Sequence, residues 1–78
     1  MSYISPDTCR AARALIDWTR KDLASAASVA ERTVASFERG DRIAYQDTQE
    51  RLRAALESAG VVFLAVGSIE GVGIERKP

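Results

Sequence analysis

The sequence predicts a mainly α fold: a compact domain of four to five helices carrying a short C-terminal β-hairpin or strand extension. Three observations carry that expectation. Apolar residues recur at helical spacing between Cys9 and Ala59. Ser5, Thr19 and Gly40 stand where helix-start and helix-stop residues belong. After Gly60 the period changes: "VVFLAV" is β-branched and apolar, "GSIEG" is turn-like, and "VGIE" reads as a second short strand. The expected division is residues 1–60 for the helical domain and 61–78 for the extension.

Helix one opens at "SPDT". Ser5 is a good N-cap, Pro6 fits a first-turn position whose N–H has no helical partner, and Asp7 complements the helix dipole. Cys9, Ala12, Leu15 and Ile16 are expected to form its buried stripe. Thr19 caps helix two, with Asp22 as capping-box partner. Leu23, Ala24 and Ala27 form its inner face, and the alanines let a second helix cross closely. Ser28 and Val29 make the turn. Helix three runs from about Glu31 to Arg39 and ends at Gly40, which tolerates the left-handed conformation of a helix end. "DRIAYQ" is a loop in which a short helical turn, "IAYQ", would supply the fifth helix. Asp47 or Thr48 is expected to cap a last helix reaching about Ala59, with Leu52, Ala55, Leu56 and Ala59 on one face.

Composition narrows the function. A chain of 78 residues makes one domain and buries only about 60% of its unfolded surface, so its core is marginal. Eleven basic and eleven acidic residues cancel, which argues against a non-specific basic coat for nucleic acid. A specific reader needs only local charge. Between Arg10 and Arg53 there are nine basic and seven acidic residues, so arrangement matters more than the total. The lone Cys9 excludes an intrachain disulfide, and with no histidine a metal site is not expected. Cys9 reads as a small core residue of a protein in the reducing cytosol. No apolar run approaches the ~20 residues of a membrane span, and "MSYISPD" lacks the pattern of a signal peptide. A cytoplasmic protein without membrane contact is expected. With no Cys–His pair and no phosphate loop, the chain is not expected to be an enzyme or to need a cofactor, metal or small-molecule ligand.

Helices two and three have the form of a helix-turn-helix. On a wheel at ~100° per residue, Ala30, Val34 and Phe37 share the core side. Arg32, Ala35, Ser36 and Arg39 lie opposite, flanked by Glu31 and Thr33. That outer surface is thin enough to enter a major groove and can hydrogen-bond base edges. Arg32 suits a bidentate contact to guanine, and Ser36 a contact to a base edge. Glu31 has two readings: it accepts from a cytosine amine, or it offsets the dipole of a helix with no polar cap. Arg20, Thr33, Arg39, Arg42 and Tyr45 are the candidate contacts to the DNA backbone.

Taken together, "CRAARALIDWTRKDLASAASVAERTVASFERG" resembles the Cro/C1-type (XRE-like) helix-turn-helix regulators. Leu23-Ala24, Val29, Val34 and Glu38-Arg39-Gly40 carry the resemblance, which covers roughly residues 9 to 59. It implies a four- or five-helix DNA-binding domain with Glu31, Arg32 and Ser36 at base-reading positions and Arg20 at a phosphate position. It also implies an ion pair between Arg13 and Glu38. Three residues depart from the pattern: Ser28 where the turn usually has glycine, Ala30 where a Ser or Thr cap is usual, and Asp17 at a normally small helix end. They imply a less stable unit whose third helix is held by packing rather than by its cap.

Val61–Val66 and the strand at Val72–Glu75 are too short for a stable isolated hairpin. Either they fold back on the helices, or Val61, Phe63, Val72 and Ile74 pair across a two-fold axis and build a homodimer. The sequence therefore predicts a sequence-specific transcriptional regulator, such as a repressor responding to its own concentration. It would bind double-stranded DNA through the major groove as a homodimer on two half-sites. The alternative is a protein-binding module on the same fold, such as an anti-activator or antitoxin.

Overall fold

Helix α1, Pro6–Leu15, begins where Ser5 accepts from the Thr8 amide at 3.0 Å while the Ser5 amide donates back to Thr8 Oγ1 at 2.9 Å. This reciprocal cap satisfies two helix-end donors at once. The computed structural model describes residues 4–41 and 45–76. Thr8, Cys9 and Ala12 face inward. Leu15 does not: it is 42% exposed, because α1 ends there and the backbone turns away through Ile16 and Asp17, the latter at φ 58°. Ile16 packs only partly against the core.

Helix α2, Arg20–Ala27, has the Thr19/Asp22 capping box, with bonds of 2.9 and 3.0 Å. The hydrogen bonds from the Thr19 backbone and side chain hold the Asp22 carboxyl below the ordinary carboxylate range. Leu23, Ala24 and Ala27 are buried. Ser28 ends the helix in left-handed geometry (φ 58°, ψ 45°), which costs an L-residue about 1–2 kcal/mol. The Val29 amide then reaches back to the Ala24 carbonyl at 3.0 Å, closing the turn.

Helix α3, Glu31–Arg39, buries Val34, Phe37 and Glu38 and stops at Gly40 (φ 73°). Ala30 corrects the wheel. It is exposed, not part of the core. It occupies the N-cap with extended backbone (φ −73°, ψ 145°), so its Cβ does not follow the helical periodicity extrapolated from Val34 and Phe37. No side chain caps the helix. Ala30→Ser places a hydroxyl at an exposed position with the right backbone and should stabilise the fold by about 1 kcal/mol; thermal unfolding measures this, and an unchanged Tm would contradict it.

Helix α4, Gln46–Ser58, starts earlier than its acidic residues suggest. Tyr45 occupies the N-cap and makes no side-chain capping bond. Asp47 is already inside the first turn, where it pairs with Arg51 at 3.0 Å instead of capping. Gln49, Leu52 and Leu56 are buried, with Ala55 packed against the core. The extra helical turn expected at "IAYQ" falls mostly outside the described residues.

The chain ends in an antiparallel hairpin, β1 (Val61–Val66) and β2 (Ile69–Ile74), paired from Val61↔Ile74 to Val66↔Ile69. The second strand starts three residues before the expected one. A two-residue loop with Gly67 at φ 60° lets pairing begin directly at Ile69. The hairpin lies against α1 and α4, and Val61 is 2% exposed, part of the same core as Leu23, Val34, Leu52 and Leu56. The fold is thus mainly α: four helices closed by one hairpin.

Candidate nucleic-acid interface

The surface of α3 is set by which of its residues the core takes. Val34 and Phe37 are fixed inward, so positions i, i+4 and i+7 from Arg32 fall on the opposite stripe. Arg32 and Arg39 are exposed there, with Ser36 half-buried between them. Glu31 is exposed at the helix start and Thr33 is half-buried at the side.

Beneath this stripe, Glu38 anchors α3 to two other helices. Its carboxylate is fully shielded from solvent. Arg13 of α1 grips it with a bidentate pair, Nε to Oε2 and Nη2 to Oε1, both 2.7 Å. Arg20 of α2 donates Nε to Oε1 at 3.1 Å, and the Cys9 thiol donates to Oε2 at 3.1 Å. Arg10 adds a bond to the Glu38 carbonyl, and the remaining Arg13 nitrogen, Nη1, holds the Trp18 carbonyl at 3.0 Å. Among the described residues, no buried side-chain nitrogen or oxygen lacks a partner. Burial pushes the Glu38 carboxyl up, but the bonds from Arg13, Cys9 and Arg20 outweigh it and hold the group below its ordinary range. The same carboxylate raises Arg13 against the opposing effect of burial. Burial, with help from the adjacent carboxylate, pushes the Cys9 thiol far up, so Cys9 is a donor and not a nucleophile.

The expected contact residues therefore divide by what already engages them. Arg20 spends its Nε on Glu38. Arg39 is paired with Asp41 at 2.7 Å, on the surface. Among the described basic residues, Lys21, Arg32 and Arg76 make no salt bridge. Among the described residues, the Arg32 side chain also makes no hydrogen bond. It is a free guanidinium at the second residue of α3. Tyr45 is 83% exposed. Arg42 lies outside the described residues. Sequence reasoning missed the Cys9 and Arg20 bonds to Glu38. The visible signal was weak: Cys9 and Arg13 are four residues apart on α1, so they face the same neighbour.

No protein-family model matches the chain, and no curated protein matches it. Its residues alone carry the functional reading.

The four hairpin positions considered for dimerisation sit on the face turned towards the helices. Val61 is in the core, Phe63 and Val72 pack against it, and Ile74 is half-buried opposite Val61. That placement removes Val61 from any surface offered to another chain. Elsewhere, a groove of about 470 Å³ between α2 and α4 is lined by Trp18, five alanines, Arg51 and Ser58. Among the described residues, no cluster of three metal-ligating side chains occurs, and no helix is long and apolar enough to cross a membrane.

Proposed function

We propose that the chain is a sequence-specific DNA-binding transcriptional regulator of the Cro/C1 helix-turn-helix type. It acts as a homodimer on two half-sites, with α3 as the reading helix. The observation that supports this most is Arg32: exposed, unpaired, and on a stripe with Ser36 and Arg39 that no core contact uses. A free guanidinium there is able to fork onto guanine O6 and N7. Ser36 and Glu31 complete the base-reading set, while Arg20, Thr33, Arg39, Arg42 and Tyr45 position the phosphates. Arg20 has its Nη atoms left for phosphate while Nε holds Glu38, so one residue would couple the fold to the DNA.

A second reading is a protein-binding module, such as an anti-activator or antitoxin. Zero net charge favours it, as does the neutralisation of Arg39 by Asp41. Selection from a pool of random duplexes separates the two. A reader should enrich a pseudo-palindromic site and bind it roughly 10³-fold or more tighter than random DNA. Failure to enrich any sequence would leave the second reading.

A further inference from the structure

We propose that a second copy of this chain packs on the outer face of the β-hairpin, seated on the trough at Gly71. The register places Val62, Leu64, Val66, Ile69, Gly71 and Gly73 on this face, pointing away from the helices. None of the six carries a polar group. Val62 is 38% exposed, Leu64 55%, Val66 74% and Ile69 69%. Together they offer on the order of 400 Å² of apolar surface, the size of the largest patch on a typical soluble domain, which is often functional.

The two glycines have no reason within the chain. Neither has the positive φ of Gly40, Gly60 and Gly67. A Cβ at Gly71 would meet nothing within 4 Å, and one at Gly73 would touch only Leu64 Cδ1, at 3.9 Å. A glycine inside a strand weakens it and often marks a bulge, a tight bend or the close approach of another backbone or ligand; the unbroken one-to-one pairing excludes a bulge. Leu64 leans across the sheet towards Gly73, leaving Gly71 as an open notch between Leu64 and Ile69.

The occupant follows from the shape. β1 supplies a ridge of Val62, Leu64 and Val66, and the facing part of β2 supplies a trough. A two-fold axis sets each ridge into the other copy's trough, the self-complementarity an isologous contact requires. Two such faces bury about 800 Å² of side chain, below the ~1,200 Å² of stable specific interfaces and in the range of weak, transient ones. The resulting dimer is modest in affinity and concentration-dependent. This names the surface for the homodimer proposed above and rests on that reading only for its biological use.

Sedimentation velocity on the full chain, from micromolar to sub-millimolar concentration, tests it. Wild type should shift from monomer to dimer. Gly71→Val should raise the dimer dissociation constant about tenfold or more, with an unchanged or higher monomer Tm, because valine favours a strand and its Cβ meets nothing within 4 Å. Leu64→Ser, at an exposed position, should give the same loss of dimer. A wild type that stays monomeric, or Gly71→Val and Leu64→Ser variants that dimerise as tightly as wild type, overturns the proposal. DNA binding is a separate readout: a monomeric Gly71→Val should still hold one half-site. A dimer that selects no DNA sequence would overturn the functional reading while leaving this interface standing.

Discussion

Glu38→Ala should cost about 3–5 kcal/mol of stability, because it leaves the Arg13 guanidinium buried without its counter-charge and strips the Cys9 and Arg20 donors of their acceptor. A domain of 78 residues has about 4–12 kcal/mol in all, so the variant should lose a large fraction of its stability. Chemical denaturation followed by Trp18 fluorescence measures this directly. A loss below about 1 kcal/mol would mean that Glu38 is not the tie between α1, α2 and α3.

The same carboxylate gives a pH signature. Its value is depressed in the folded chain relative to the unfolded one. Its contribution is therefore fully present above the unfolded value of about 4.3 and is lost as pH falls through the folded value. Asp22, also depressed, contributes in the same direction and window. Wild type should thus lose stability on acidification below about pH 4.5. Glu38→Gln should be less stable at neutral pH and should lose less on acidification. Parallel curves would assign the acid loss to other groups.

Arg32→Ala has the largest expected effect on function. Among the described residues, the Arg32 side chain makes no ion pair or hydrogen bond, so its removal should change stability by less than about 0.5 kcal/mol. Loss of a bidentate base contact costs about 1–3 kcal/mol, roughly 5- to 150-fold in affinity for the selected site. Binding to random duplex should fall far less, so sequence preference relaxes. Arg20→Ala should behave differently: affinity for all sequences falls together, and stability drops as well, because Arg20 also holds Glu38. Competition titrations with specific and random duplexes separate the two patterns. Equal losses on both duplexes for Arg32→Ala would remove it from the base-reading set.

Much of the fold was legible because its signals are local. The Thr19/Asp22 box and the Leu23, Ala24, Ala27 face lie within nine residues of chain, and side chains that close in sequence specify their own geometry. Ala30 was misplaced because a wheel assumes helical backbone at every position, and an N-cap is extended. Leu15 was misplaced because its helix ends with it. The hydrogen-bond cluster on Glu38 was only partly legible: its partners are 18 to 29 residues distant, and local pattern does not fix how three helices meet. Alternation groups the hairpin's inner face, Val61, Phe63, Val72 and Ile74, but the cross-strand register was illegible for a simpler reason. With Ile69–Gly71 taken as turn, the register that puts Leu64 opposite Gly71 could not be drawn.

The most direct test of DNA reading by α3 is the salt dependence of binding to the duplex flanking the protein's own gene, followed by fluorescence anisotropy. Arg20, Arg39 and Arg42 are three cationic candidates for phosphate contact in each copy of the chain. A dimer that engages about five or more phosphates should show log K falling with log[salt] at a slope of roughly −4 or steeper. A flat dependence, or no binding at low salt, would contradict it.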